Sequence, residues 1–61
     1  MIDMFKKVLR AVSFDRRLFK KELVKARNWL KNDEALVLKA WCLTTFVAYK
    51  ETVLEVFDSM N

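Results

Sequence analysis

The chain has 61 residues with one cysteine, no histidine, no glycine and no proline, and its formal net charge is +4. A length this short predicts a single domain over 1–61 that buries only about 60% of the surface its unfolded form exposes. One thiol excludes an intrachain disulfide, and without histidine it gives a structural zinc site no ligand set, so stability must come from regular helix packing or self-association. Hairpin turns normally recruit glycine, and none is present. The expected fold is therefore all-α, with three helices at about 3–12, 15–31 and 33–59 forming a short antiparallel bundle completed by self-association.

In the first predicted helix, Asp3 is a candidate N-cap. Ile2, Phe5, Val8, Leu9 and Val12 fall on one face, and Lys6, Lys7 and Arg10 fall on the other. Continuing that helix would carry Phe14 to the basic face and Asp15 to the apolar one, so the phase breaks near Ser13. Asp15 is a good cap for a second helix, with Phe14 and Phe19 in the positions of a hydrophobic staple; Ser13 is the alternative cap.

The second helix is expected to run to about Lys31 and to bury Phe19, Leu23, Ala26 and Leu30, at spacings of four, three and four. Leu18 and Trp29 form an adjoining ridge. Asn32 offers a left-handed stop in the absence of glycine, and Asp33 a cap for the helix that follows. The third helix meets no breaker before Ser59. At 1.5 Å per residue it would be about 39 Å long, against about 15 and 26 Å for the other two.

Two adjacent stripes of the third helix read as core. One is Cys42, Phe46, Tyr49, Val53, Val56 and Met60, and the other is Leu36, Ala40, Leu43, Val47, Leu54 and Phe57. The opposite side ends in the acidic Glu51, Glu55 and Asp58, but over its first turns it carries Val37, Trp41, Thr44 and Ala48. Two short partner helices are too few to surround an all-round apolar helix. The back stripe Val37, Trp41, Thr44 and Ala48 is therefore the candidate interface, with a second copy or another protein as partner. As a membrane span, Ala35 to Tyr49 is poor, rising about 23 Å against a hydrocarbon core of about 30 Å.

Charge is unevenly divided. Residues 1–31 hold ten Lys/Arg and three Asp/Glu, whereas residues 32–61 hold two and five. On the second helix Arg16, Arg17, Lys20, Arg27 and Lys31 are candidate anion-binding residues. Like-charge neighbours four apart repel, each pair costing an isolated helix about 0.2–0.5 kcal/mol. Nucleic-acid phosphates, an anionic membrane surface, or the acidic side chains of this chain or a neighbour would each relieve that repulsion.

The sequence offers little for catalysis. It lacks histidine for general base work and glycine for a phosphate loop, and no cofactor or metal is expected. Cys42, inside an apolar stripe, reads as an inert buried thiol. Met1 to Val12 interrupts its apolar positions with charge, unlike a secretory signal, so the expected location is cytoplasmic. The function these features favour is a small helical protein–protein interaction or regulatory module, homodimeric through its third helix. A nucleic-acid-binding accessory protein using the basic helix, and a membrane-surface or membrane-active protein, are the alternatives.

Overall fold

A computed structural model describes residues 2–58 and shows an all-helical chain with α1 (Ile2–Ala11), α2 (Arg16–Trp29), α3 (Asn32–Thr45) and α4 (Lys50–Asp58). A 3₁₀ turn at Val47–Tyr49 separates the last two helices. α1 packs on α2 and α3, and α4 closes the ring by packing on the same two helices. Asp3 lies within the first turn of α1, which already begins at Ile2. Asp15 caps α2 as expected, its Oδ1 accepting from the backbone N–H groups of Arg17 at 2.9 Å and Leu18 at 3.4 Å. The Ser13 hydroxyl instead donates back to the Arg10 carbonyl at 2.9 Å, helping to close the end of α1. No staple forms, because Phe19 turns wholly into the core while Phe14 stays in solvent.

The link between α2 and α3 differs from the expected left-handed stop. α2 ends at Trp29, and Leu30 and Lys31 are both extended, with ψ of 150° and 163°. Asn32 is already helical, and no described residue has a positive φ. Leu30 is buried, so its side chain pulls the link inward and the two helices turn about it. The Asp33 carboxylate accepts from the next residue's N–H, Glu34, at 2.9 Å inside the first turn of α3.

The main correction concerns the third predicted helix, which is two helices. Phe46 leaves the helical region at φ −116° and ψ 62°, although its N–H still closes the last turn of α3 by donating to the Cys42 carbonyl at 2.8 Å. The local sequence Thr44-Thr45-Phe46-Val47 is a run of β-branched and aromatic residues with weak helix propensity. The Thr44 hydroxyl adds to this by donating to the carbonyls of Trp41 and Ala40, at 3.0 and 3.2 Å. The larger cause is tertiary. An unbroken helix of about 39 Å would overrun a molecule whose longest extent is 27 Å. The break sends α4 back against α2, where Val53, Val56 and Phe57 are buried. The expected end at Ser59, and Met60 in the first stripe, lie outside the described residues.

All four helices contribute to one apolar cluster. Phe5 and Leu9 come from α1, Phe19, Leu23 and Ala26 from α2, and Ala35, Leu38 and Cys42 from α3, joined by Leu30 and the three α4 residues. The buried stripe expected for α2 is present in full. The phase expected for α3 is present only in part, since Cys42 is buried but Leu36 and Ala40 are exposed while Ala35 and Leu38 take core positions. The accessible surface is 4313 Å², close to the roughly 4,200 Å² of a compact monomer of this mass. The twelve buried apolar residues thus form one core within a single chain.

Substitution separates the two phases of α3. Leu38→Ala is expected to lose about 2–5 kcal/mol, a large share of the roughly 3–9 kcal/mol available to a chain this short. Leu36→Ala should stay within about 0.5 kcal/mol of the parent. Urea unfolding followed by helical circular dichroism measures both, and equal losses would contradict the observed phase.

Candidate functional site

The site residues expected from sequence fall into two regions, one on α3 and one between α2 and α4. On α3 the buried residues Ala35, Leu38 and Cys42 define the inward face. The helix period therefore turns Leu36, Val37, Ala40 and Thr44 outward together. Leu36 is 63% exposed and Val37 56% exposed, and Ala40 and Thr44 are also exposed. Between Glu34 and Thr45 the only charged residue is Lys39, half-buried at the side of the helix. α3 is thus apolar on its outer side as well as its inner one. The other three helices carry charge outward: Lys7 and Arg10 on α1, Lys21 and Lys25 on α2, and Glu51 and Glu55 on α4.

Of the four residues expected at an interface, Val37, Thr44 and Ala48 are exposed, Ala48 now in the 3₁₀ turn beyond the break. Trp41 departs from the expectation. Its ring is half-buried, edge-on to Phe46 with centroids 5.3 Å apart. Lys6 Nζ lies 5.4 Å and the Arg10 guanidinium 5.6 Å from the indole centroid, so the basic side of α1 covers it. Such cation–π contacts contribute about 0.5–1 kcal/mol at exposed sites and more when desolvated. Trp41 therefore serves the docking of α1 on α3, and Leu36 and Ala40 replace it on the outer face. Sequence alone did not separate these residues, because a helix apolar all round has no periodic contrast to set its phase.

The basic residues of α2 are also divided by the fold. Arg16, Arg17 and Lys20 line a groove of about 320 Å³ with Glu51, Thr52 and Glu55 of α4. The Lys20 ammonium forms an ion pair with the Glu55 carboxylate. About two turns further on, Arg27 Nη1 donates to the Val56 carbonyl of α4 at 2.8 Å, and Nη2 donates to Asn28 Oδ1 at 3.3 Å. Lys31 stands apart, exposed in the extended link. The expected anion site is therefore not one stripe. Its α4-facing members meet the chain's own acidic face, as simple complementarity between the two halves allows.

Around Phe46 the aromatic side chains tie the site regions together. Phe19 lies 4.9 Å from Phe46 and 4.8 Å from Tyr49 between ring centroids. The Tyr49 hydroxyl donates to the Ser13 carbonyl at 2.6 Å, joining the 3₁₀ turn to the α1–α2 turn. Cys42 is fully buried beside this cluster, and burial pushes its thiol up to about 12. No group of three His, Cys, Asp or Glu side chains among the described residues could hold a metal ion. Nor is any helix among them long and apolar enough to cross a membrane. With the geometry in hand, comparison with protein-family models, curated proteins and solved structures returns no match to this chain.

Two titrations test this arrangement. Lys20, chiefly through its hydrogen bond and then through its charge, holds the Glu55 carboxyl below the ordinary 4.5, with a smaller contribution from Arg16. Since the native carboxylate binds its proton less tightly than the unfolded one, the pair favours the fold above that value, and the benefit is lost as pH falls through the native pKa. In carbon-detected NMR titration, Lys20→Met should move Glu55 back towards 4.5. For Cys42 the sign is reversed. Its burial leaves stability unaffected below the ordinary 9.0 and erodes it as pH rises from there towards 12. The native thiol should be inert to Ellman's reagent and react at the rate of unfolding.

Proposed function

We propose that this protein is a small helical protein–protein interaction module, and that it associates with a second copy of itself through the outer face of α3. The observation that carries this reading is the exposure of Leu36, Val37, Ala40 and Thr44 on a helix whose outer side holds no charge after its first turn. A contiguous apolar face rimmed by charge suits a contact surface. Scattered apolar residues, in contrast, are ordinary on any surface.

The face suits an antiparallel, two-fold pairing. Ala40 and Thr44 are small and central, which permits helix axes to approach at the near end of the usual range of about 8–10 Å. Larger residues, Leu36 and Val37, stand towards one end, and exposed Val47 lies just beyond the other. Asp33 and Glu34 begin the helix, while exposed Lys50 follows its far end. Antiparallel pairing sets these opposite charges against each other across the two-fold axis and aligns the helix dipoles favourably. A standard interface takes about 800 Å² from each partner, about a fifth of this chain's 4313 Å², so the association expected from one short helix face is modest.

Sedimentation equilibrium at tens of micromolar tests the proposal. The parent chain should show a dimer mass, and Val37→Glu should show a monomer mass with an unchanged helical spectrum. A monomer mass for the parent over the same range would sink the self-association reading.

A further inference from the structure

The fold sorts the basic helix α2 into two sides, and only one of them meets acidic residues of another helix. On the α4 side, Arg16, Arg17 and Lys20 line the groove with Glu51 and Glu55, and Arg27 binds the Val56 carbonyl. On the outer side, Lys21 makes no ion pair among the described residues, and Lys25 meets only Glu22 of its own helix, at 3.4 Å. The like-charge repulsion that Lys21 meets from its neighbours four positions away is therefore only partly relieved in the folded chain.

The two most exposed aromatic rings flank this helix at its ends. Phe14 is 80% exposed immediately before the Asp15 cap, and Trp29 is 69% exposed at the last residue of α2. Leu18, also exposed, lies eleven residues before Trp29, and Lys25 lies seven after Leu18. At 3.6 residues per turn these separations are close to about three and two full turns. Leu18, Lys25 and Trp29 thus share one edge of the helix, with Lys21 beside them. The result is an edge that carries Leu18 and Trp29 beside the cations Lys21 and Lys25, with exposed Phe14 just before the helix begins.

We propose that the outer face of α2 is a docking surface for an anionic lipid bilayer, with Phe14 and Trp29 entering the interfacial region while Lys21 and Lys25 meet lipid phosphates and carboxylates. The division of labour is that of peripheral membrane binding, in which shallow aromatic insertion and charge attraction act together and neither suffices alone. A single-stranded nucleic acid would use the cations and the rings, but it has no use for Leu18 on the same edge. The apolar face of α3 does not serve here, because it opens on Asp33 and Glu34, which anionic lipid repels.

The test is co-sedimentation of the full chain with vesicles of phosphatidylcholine and phosphatidylserine in equal parts, and with vesicles of phosphatidylcholine alone. Binding is expected to the first and not to the second, and to weaken as salt rises. Phe14→Ala with Trp29→Ala should weaken it about tenfold or more, and Lys21→Glu with Lys25→Glu should abolish it. All four residues are exposed, so an unchanged helical spectrum is expected for both variants. Val37→Glu should bind vesicles like the parent, which keeps this face distinct from the α3 interface. Equal binding to both vesicle types, loss of binding in Val37→Glu, or tighter binding to a single-stranded oligonucleotide than to the anionic vesicles would each overturn the proposal.

Discussion

Everything in this fold depends on the chain leaving the helix at Phe46. Without that exit the last 26 described residues would form a rod too long for two short helices to cover. With it, α4 returns to α2 and buries Val53, Val56 and Phe57. No glycine or proline makes the break. The Thr44-Thr45-Phe46-Val47 segment is only a weak helix former, and Phe19 supplies the decisive surface by receiving Phe46 and Tyr49 against one ring. The Tyr49 bond to the Ser13 carbonyl then fastens this corner to the other sharp turn in the chain. A helix that is marginal locally ends where ending it buries the most apolar surface.

The return of α4 also decides where charge goes. The amino-terminal half is strongly basic and the carboxy-terminal half acidic, and the break folds one against the other. Lys20 meets Glu55 and Arg27 meets a backbone carbonyl of α4. The exposed ion pair adds little stability, as surface pairs generally do. Its greater effect is on the rest of the molecule, since the neutralised side of α2 differs from its open side, and the charge-poor α3 is left as the one helix with an apolar exterior. The two surfaces proposed for binding are both residues of this sorting.

How much of this could be read from the sequence depended on contrast between faces. In α2 charged and apolar residues alternate sharply, so Phe19, Leu23, Ala26 and Leu30 were legible as core, and Asp15 as a cap. Between Ala35 and Leu43 every residue of α3 except Lys39 is apolar, and nothing local distinguishes Leu36 from Leu38; only the positions of α1 and α4 do so. Trp41 was misread for the same reason, because the cations that cover it come from α1, more than thirty positions away. The break was invisible to a search for breakers, since a weak propensity becomes a corner only when tertiary packing rewards it. The basic character of α2 was plain. Its division into engaged and open sides required knowing that α4 lies alongside.

The connections of this protein are unusual in what they are made of. No described residue adopts a positive φ, so no turn is held by backbone freedom alone. Asp15 turns the chain by capping a helix, Leu30 by burying its side chain, and Phe46 by packing on Phe19 and Trp41. In most small domains the loops absorb insertions and drift in sequence while the helices carry the packing. Here the corners are pinned by the same side-chain contacts that form the interior. A residue inserted at one of them would move a core side chain out of register, leaving the protein little room to vary its length except beyond its outer helix ends.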